Sequence, residues 1–411
     1  MKKNYLIGLL LPLLLSPQVE AQHTRKCLTA EKNEVMQQQN PSLKIKRENL
    51  FNEVARTYDS HRLQKTNATL VIPVVVHIVY KDIKDSLSEE RIRSQINVLN
   101  EDFKRLNADK NKTPTAFKSV AADCEIEFKL ANVDPNGNPT KGITYRKTYV
   151  KEFPEDEEDD IKFYYYGGTD AWNPNHYLNI WVGRLEGNTL GYAYFPEAHG
   201  DDIDGVVISP DAFGVHNKSP YNLGRTATHE VGHYLGLEHI WGNVGCSKDD
   251  GISDTPLQYE ENYDCPSFPK KDNCTSTGNG VMFMNYMDYT NDACMNLFTL
   301  EQKNLMRTVL TGTRKSLLTS PGIEAVSGVK NMEEMNNISI YPNPAKESIS
   351  ISFKDLYIDE INLINSLGEI IYKEKGNREE LHIPCSNYPK GIYTINILTN
   401  DKTLVKKLII E

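Results

Sequence analysis

The sequence predicts an α/β (α+β) domain followed by a small C-terminal antiparallel β-sandwich. Upstream of about residue 310, β-branched runs of strand type alternate with segments of helical periodicity. The last 74 residues, 338–411, contain short alternating strands separated by turn residues, which is typical of a sandwich. The stretch 319–337 between these regions is predicted to be a linker.

The elements of the α/β domain follow from residue patterns in chain order. VIPVVVHIVY (71–80) is a continuous β-branched run, as expected for a central strand that is buried on both faces. We interpret His77 within it as a hydrogen-bonded core histidine rather than a metal ligand. Ser88 is a suitable N-cap for a helix over 88–107, because apolar residues then recur at helical spacing. Further strands are predicted at 125–133, 179–185, 191–195 and 204–210, and a further helix at 300–310.

Residues 1–21 have the features of a secretory signal peptide. Two lysines precede a short apolar run at 6–15, and VEA at 19–21 offers a small-residue cleavage site. Neither this run nor any later one reaches the roughly 20 apolar residues that a transmembrane helix requires. The sequence therefore predicts an exported, soluble protein without a transmembrane segment.

The charge balance excludes some partners. The formal net charge is −10 and there is no basic stripe, so we expect neither nucleic acid nor an anionic membrane surface as a partner. The acidic run EDEEDD at 155–160 is predicted to be a solvated loop, with calcium binding as the alternative.

Four of the seven cysteines lie within 49 residues of one another. In an exported protein this cluster indicates two disulfides. A four-cysteine zinc site is the alternative, although the spacings of 19, 9 and 20 include no CxxC pair. The clustered cysteines are Cys246, Cys265, Cys274 and Cys294, and the others are Cys27, Cys124 and Cys385.

HEVGHYLGLEH at 229–239 has the residue types and spacing of a zinc site. On a helix, His229 and His233 leave the same face one turn apart, so that both nitrogens can bind one ion. Gly236 can adopt positive φ, end the helix and return His239 as a third ligand. Three protein ligands leave one position open, which is the catalytic arrangement. Glu230 then lies beside the metal as a base for a water molecule.

This motif resembles the extended zinc motif of metzincin metalloproteases. NYMDY (285–289) supplies Met287 for the methionine turn that the clan places beneath the metal. Together they resemble the pappalysin (ulilysin-like) branch over roughly residues 70–310. The resemblance implies a catalytic domain at 62–318 with a twisted mixed sheet and a helix that carries the zinc ligands.

The resemblance also implies roles for residues around the metal. Tyr289 matches a tyrosine that stabilises the tetrahedral intermediate. Asp292 matches an acid at the base of the pocket for the residue after the scissile bond, which implies preference for Arg or Lys there. Gly191, Tyr192 and Ala193 lie in the edge strand to which a substrate adds through main-chain hydrogen bonds.

Further features implied by the resemblance concern stability. The family's two disulfides correspond to Cys246–Cys274 and Cys265–Cys294. The segment 249–256 resembles a calcium-binding loop, in which Asp254 and the Thr255 carbonyl are the expected ligands. An acidic turn without an ion is the alternative.

Residues 22–61 correspond to a propeptide. Cys27 occupies the position of a thiolate that blocks the open zinc position, although Cys27-Leu28-Thr29 departs from the family's usual Cys-Gly-Thr. Regions 55–57 and 60–62 are candidates for processing, since cleavage before arginine fits self-processing.

The C-terminal region 338–411 resembles the type IX secretion sorting domain of Bacteroidetes. YPNPAKESISI, GIYTINI and the closing KTLVKKLIIE carry this resemblance. It implies delivery to the bacterial surface or the medium by the type IX machinery.

These observations predict a secreted zinc endopeptidase that cleaves protein or peptide substrates before Arg or Lys and is made as a latent zymogen. The alternatives are a catalytically silent surface binding protein and a metallo-exopeptidase. The intact Glu230 argues against the first, because binding alone requires no base.

Overall fold

The computed structural model describes residues 25–61, 68–155, 159–218, 220–243, 245–323, 338–354, 357–365, 368–376, 379–399 and 403–411. They form two compact units. The first comprises the described parts of Met1–Leu130 and Gly142–Ser320, and the second those of Ala131–Lys141 and Pro321–Glu411. The predicted signal peptide lies outside the described residues, as does 324–337 of the predicted linker. The predicted domain boundaries stay predictions.

A six-stranded mixed sheet organises the first unit and confirms the predicted fold class. Its strands are β1 (Leu70–Tyr80), β2 (Ile126–Leu130), β3 (Ile143–Lys147), β4 (Leu178–Val182), β5 (Gly191–Ala193) and β6 (Val206–Ile208). The order is β2-β1-β4-β6-β5, and β3 pairs with the second half of β1. All pairs are parallel except β5 with β6. β5 is therefore an antiparallel strand at the edge of the sheet.

Most of β1 is buried, which explains its continuous apolar sequence. His77 is buried within it, and its ring nitrogens lie 2.8 Å from Thr144 Oγ1 and 2.9 Å from Asn179 Oδ1. Burial lowers the pKa of His77 to about 4, so that it is neutral at physiological pH. This histidine belongs to the hydrogen-bonded core.

Three of the helices in the first unit are α3 (Glu89–Phe103), α4 (Arg225–Tyr234) and α5 (Leu300–Thr311). Ser88 caps α3 as predicted, because its Oγ accepts a hydrogen bond from Arg91 N. Thr299 and Gln302 form a capping box at the start of α5. α4, which carries the first two histidines of the motif, is buried along its whole length.

The polar N-terminal segment forms two helices, α1 (Thr29–Gln39) and α2 (Ser42–His61). Its composition shows only a weak helical pattern, yet Leu43 and Leu50 are buried in the structure. Several of its polar side chains are buried as well, because they find partners in later parts of the first unit: Arg25, Thr29, Lys32, Asn33 and Arg47.

The second unit contains two antiparallel sheets, as predicted for the C-terminal region. Their strands are β7 (Ile338–Tyr341), β8 (Ser348–Phe353), β9 (Glu360–Ile364), β10 (Ile370–Lys375), β11 (Glu380–Pro384), β12 (Gly391–Leu398) and β13 (Thr403–Ile410). The orders are β10-β9-β12-β13 and β11-β8-β7. Alternating inward residues such as Ile349, Ile351 and Ile395 form their shared core. No helix among the described residues combines the length and apolar character needed to span a membrane.

Candidate active site

Helix α4 and the turn after it bring three histidines together. His229 and His233 lie on successive turns of α4, and their Nε2 atoms are 3.1 Å apart. Gly236 has φ +100°, which only glycine adopts without strain, and the chain reverses there to bring in His239. The ring centroids of His233 and His239 are 4.6 Å apart. All three side chains are buried.

Each histidine ring is oriented by a hydrogen bond on its other nitrogen. His229 Nδ1 donates to Tyr286 O at 2.7 Å, and His233 Nδ1 donates to Leu237 O at 2.7 Å. Nδ1 of His239 lies 2.9 Å from Oδ1 of Asn243. These acceptors place the proton on Nδ1 and leave each Nε2 lone pair for the common centre.

The donor set fits a zinc ion. The three imidazoles and Cys27 Sγ offer ligand atoms that all lie within 4.8 Å of one another. Burial lowers the pKa of all three histidines, to about 4 for His239, and a neutral imidazole is the form that binds a metal. Three nitrogens and one sulfur correspond to a tetrahedral site.

Glu230 is buried beside this centre. Its Oε2 lies 3.0 Å from Thr29 Oγ1 and 3.4 Å from Cys27 Sγ, whereas its Oε1 has no hydrogen-bond partner among the described residues. Burial raises the pKa of Glu230 to about 7, although Arg25, Cys27 and Thr29 oppose this rise. A carboxyl with such a pKa can take up and release a proton near neutral pH.

The methionine turn lies directly under α4. A Cβ added at Gly232 would lie 2.5 Å from Met287 Sδ, so the helix approaches this side chain as closely as glycine permits. The same turn supplies the Tyr286 carbonyl to His229, and Met287 O accepts a hydrogen bond from Ile240 N at 3.3 Å. The turn therefore fixes both α4 and the segment that carries His239.

Tyr289 also reaches the centre. Its hydroxyl lies 3.2 Å from His239 Nε2 and 3.4 Å from Cys27 O. Both Tyr289 and its neighbour Asp288 are buried. The hydroxyl thus faces the region that the thiol of Cys27 occupies.

Asp292 is buried beside the N-terminal end of α4, and we call its surroundings the Asp292 pocket. Its Oδ2 accepts hydrogen bonds from Leu223 N at 2.8 Å and Arg225 N at 3.2 Å. Its Oδ1 has no partner within the described part of the chain. Burial raises the pKa of Asp292, and the positive charge of Arg25 opposes that rise. An unpaired buried carboxylate oxygen favours a cationic occupant.

Arg25, for which no sequence motif predicted a role, enters this pocket. Its guanidinium donates to Thr290 O at 3.5 Å, Met295 Sδ at 3.2 Å and Arg225 O at 3.3 Å. Arg25 forms no direct ion pair with Asp292. Instead, the Arg225 main chain connects them: its O accepts from Arg25 and its N donates to Asp292. No local pattern around residue 25 marks such a role, because the pocket is formed by residues 200 to 270 positions later.

The N-terminal segment also occupies the edge of β5. Leu190 N donates to Lys26 O at 3.0 Å, and Leu28 N donates to Gly191 O at 3.2 Å. Cys27 is paired with Gly191 in the parallel direction. Further along the segment, its side chains rather than its main chain bind β5. Ala193 N donates to Thr29 Oγ1 at 2.9 Å, and Asn33 Nδ2 donates to Ala193 O at 3.2 Å. The predicted substrate edge is thus covered.

Two disulfides lie in the segment that follows the histidines. The structure pairs Cys246 with Cys274 and Cys265 with Cys294, as the family resemblance implies. Cys124 and Cys385 are free and buried.

The acidic loop between Cys246 and Cys265 contains Asp254 and Thr255. Asp254 Oδ2 accepts from Glu301 N at 3.0 Å, whereas its Oδ1 has no partner among the described residues. Thr255 Oγ1 donates to Asp250 Oδ1 at 2.9 Å. Burial raises the pKa of both aspartates.

The prediction of a solvated loop at 155–160 is wrong for Asp159, which is buried in ion pairs with Lys32 and Lys162. Glu155 forms a partly exposed ion pair with Lys26. Lys26 and Lys32 lie more than 100 positions before these acids, so the local sequence gives no sign of the pairs. Residues 156–158 lie outside the described residues.

Comparison with known proteins agrees with this geometry. A family profile described as "Pregnancy-associated plasma protein-A", of the M43 peptidases, matches residues 166–311. A second, described as "Secretion system C-terminal sorting domain", matches residues 339–411. An extracellular metalloprotease of Colletotrichum graminicola is 32% identical over 263 residues, which cover 61% of this chain and 81% of that protein.

Two solved structures extend the comparison. Mature mirolysin of Tannerella forsythia in complex with a cleaved peptide is 53% identical, with a TM-score of 0.60 over 61% of this chain and 96% of that one. A promirolysin mutant of Tannerella forsythia is 47% identical, with a TM-score of 0.62 over 72% of this chain and 97% of that one. With its histidine site and sorting domain, this chain belongs to the pappalysin family of metzincins and is a secreted or cell-surface zinc metalloendopeptidase.

Proposed function

We propose that this enzyme cleaves peptide bonds on the N-terminal side of arginine and lysine, and that Cys27 silences it until the N-terminal segment is removed. The observation that carries the proposal is Arg25 in the pocket that Asp292 closes, two residues before the cysteine at the metal site. The pocket accepts a guanidinium, and it is next to the catalytic centre.

The pocket's chemistry supports a basic side chain as its substrate. Main-chain oxygens of Thr290 and Arg225 accept hydrogen bonds from a guanidinium, and Asp292 supplies negative charge at the buried end. A neutral side chain would leave the carbonyls of Thr290 and Arg225 without these donors and the buried charge of Asp292 without a nearby cation, which costs free energy in a buried site.

In the mature enzyme, His229, His233 and His239 would hold the zinc ion. That ion would polarise the peptide carbonyl and lower the pKa of a water molecule in the cleft. We assign Glu230 as the general base that takes a proton from this water and as the acid that returns it to the leaving amine. Its Oε1 has no partner within the described part of the chain and is available for this task.

Tyr289 is suited to stabilise the negative charge that develops on the carbonyl oxygen. Its hydroxyl is a hydrogen-bond donor that lies 3.2 Å from a nitrogen of His239, at the metal centre itself. Such a donor stabilises the transition state more than the ground state. Met287 makes no polar contribution and supports the site from below.

Latency follows from the contacts of the N-terminal segment. Cys27 lies among the three histidines and would be the fourth ligand of the zinc, while the Thr29 hydroxyl donates a hydrogen bond to Glu230 Oε2. Arg25 fills the specificity pocket, and the β5 edge is covered by Lys26 and Leu28. The N-terminal segment therefore prevents a substrate from reaching the metal, the base, the pocket and the strand edge.

Substituting Asp292 tests the proposed specificity. In Asp292→Asn, we expect kcat/KM for peptides with arginine after the scissile bond to fall by about 10²-fold relative to peptides with alanine there, because a buried charge pair is worth about 2–3 kcal/mol. The measurement uses matched quenched peptides and the processed enzyme. Asp288→Asn, which changes a buried carboxylate two residues from the proposed pocket's Thr290, is the matched control. An unchanged arginine-to-alanine ratio in Asp292→Asn would contradict the proposal.

We further propose that the loop 249–256 binds calcium through Asp254 and the Thr255 carbonyl. Asp254 Oδ1 has no partner among the described residues, and burial raises the pKa of both Asp250 and Asp254. Both observations support a bound cation in this loop, and calcium prefers such oxygen ligands. Millimolar calcium should then raise the thermal midpoint of the zinc-loaded protein by mass action, and less so in Asp254→Asn. Equal midpoints with and without calcium would reject the site.

For the C-terminal unit we propose that it directs export through the type IX machinery. The match of residues 339–411 to a secretion sorting domain supports this role.

A further inference from the structure

A second basic side chain of the N-terminal segment is buried in a pocket of its own. Lys32 Nζ lies 2.8 Å from Asp159 Oδ1 and 4.7 Å from the centroid of the Tyr192 ring. The side chains of Lys32 and Asp159 are only 7% and 1% exposed. We call the surroundings of this lysine, namely Asp159, Tyr192, Tyr194 and Lys162, the lysine pocket.

The lysine pocket is held together by residues outside the N-terminal segment. Tyr194 donates its hydroxyl to Asp159 Oδ2 at 2.6 Å, and Lys162 Nζ lies 3.5 Å from the same oxygen. Lys162 is held from the other side, because it donates to Ile203 O at 2.6 Å. These contacts fix Asp159 and leave its Oδ1 directed at Lys32, with no other hydrogen-bond donor among the described residues.

The pocket borders the substrate cleft on the opposite face of β5 from the metal. A Cβ at Gly191 would lie 3.1 Å from Glu230 Cγ, so alternate residues of β5 face α4. Tyr192 therefore faces away from α4, and it packs with Tyr194 and Leu28. A substrate strand that pairs with the β5 edge would place those of its side chains that point away from α4 against the Tyr192 ring.

The path of the N-terminal segment shows which part of a substrate would come near. Arg25 fills the specificity pocket for the residue after the scissile bond, Cys27 lies at the metal, and Lys32 lies beyond it. A substrate whose basic residue fills the same specificity pocket has its preceding residues on the far side of the metal. The lysine pocket thus lies along the residues that precede the scissile bond.

Removal of the N-terminal segment changes the electrostatics of the pocket. Burial by itself would raise the pKa of Asp159, but Lys162 and Lys32 together hold it below its usual value. Once Lys32 has left, Asp159 Oδ1 has lost its cation while Oδ2 keeps Tyr194 and Lys162. A carboxylate oxygen beside an aromatic face is a favourable site for an ammonium or guanidinium group.

We propose that the lysine pocket of the mature enzyme binds a basic side chain of the substrate upstream of the scissile bond. This second subsite rests on the proposed function, because it assumes cleavage before arginine or lysine at the first pocket. The enzyme would then favour substrates with basic residues on both sides of the bond that it cleaves.

The test uses the processed, zinc-loaded enzyme and quenched peptides that share one arginine after the scissile bond. Each of the four preceding positions carries lysine or its uncharged analogue norleucine in turn, and mass spectrometry identifies the bond cleaved. We expect kcat/KM to be about tenfold higher for lysine than for norleucine at one of these positions, as for a partly buried ion pair. In Asp159→Asn that ratio should fall below about twofold by the same principle.

Glu155→Gln is the matched control for Asp159→Asn. Glu155 belongs to the same acidic loop and also binds a lysine of the N-terminal segment, but its side chain and that of Lys26 are 27% and 41% exposed. If the preference for lysine over norleucine comes from the general negative charge of the loop, it should fall equally in both variants. That result would overturn the proposed subsite. A preference lost only in Asp159→Asn supports it.

The wild-type comparison decides the proposal even if Asp159→Asn fails to fold around the buried Lys162. Equal kcat/KM for lysine and norleucine at all four positions, with cleavage before arginine intact, overturns the second subsite and leaves the first. The ratio of arginine to alanine after the scissile bond is measured in the same series. Loss of that preference contradicts the proposed function instead, so the two failures are distinguishable.

Discussion

At the scale of single residues, the site depends on partners that fix each reactive group. The histidine nitrogens aimed at the metal are set by the carbonyls of Tyr286 and Leu237 and by Asn243. The motif HEVGHYLGLEH predicted the histidines and Glu230, since their spacing alone brings them together on a helix and a glycine turn. It could not predict Arg25 or Asp159, because their roles arise from contacts between distant parts of the chain.

Cys27 gives a prediction at this scale. Cys27→Ala removes the sulfur from the metal centre while Arg25 and Thr29 keep their contacts, so the segment should be released more easily. We expect the purified zymogen to process itself about tenfold faster or more, since a zinc–thiolate bond exceeds the 1.4 kcal/mol that corresponds to one factor of ten. The amount of intact chain is followed over time by electrophoresis.

Cys124→Ala is the matched control for this experiment, because Cys124 is a free, buried cysteine outside the metal-binding group. It should process at the wild-type rate. The role assigned to Cys27 fails if Cys27→Ala and Cys124→Ala zymogens persist equally long.

At the scale of elements, two packings determine the site: α4 against the methionine turn and the N-terminal segment against β5. The sequence predicted the first through Met287, although not the closeness of Gly232 to its sulfur. It predicted β1, β2, β4, β5 and β6 within a few residues, because their β-branched and aromatic runs are local signals, but it did not predict β3. It did not predict the burial of α1 and α2, whose polar residues bury only because the first unit offers partners.

Gly232 provides a prediction for this packing. A glycine inside a helix costs about 1 kcal/mol relative to alanine, so Gly232→Ala would stabilise α4 if there were room for the methyl group. Because that methyl would lie 2.5 Å from Met287 Sδ, we expect a loss of about 1–3 kcal/mol instead. Urea unfolding of the zinc-loaded protein measures it.

A double-substitution cycle separates this packing effect from a general loss of stability. In the Met287→Ala background the sulfur is absent, so Gly232→Ala should cost less than about 0.5 kcal/mol or become stabilising. The same cost in both backgrounds would show that Met287 is not the reason for glycine at this position.

At the scale of the whole molecule, the chain combines a catalytic unit, an N-terminal segment that we propose to be its inhibitor, and a sorting domain. Residues 25–33 of that segment contact the histidine centre, Glu230, the surroundings of Asp292 and the edge strand. The sorting domain was predictable from its strand pattern and motifs, since β7–β8, β9–β10 and β12–β13 pair as consecutive strands. The boundaries between these parts are harder to predict from the sequence, because linkers have no regular hydrophobic pattern.

The central claim is a zinc-dependent endopeptidase that cleaves before basic residues with Glu230 as its base. Its most direct test is mass spectrometry of the products that the processed enzyme releases from a protein mixture, with and without a zinc chelator, beside Glu230→Gln. We expect internal cuts before arginine and lysine that the chelator abolishes and added zinc restores. Glu230→Gln should retain zinc but lose about 10²–10⁴-fold in rate, the usual contribution of a general base. Cuts without preference for a following basic residue, stepwise trimming from the ends, or undiminished cleavage by Glu230→Gln would contradict the claim.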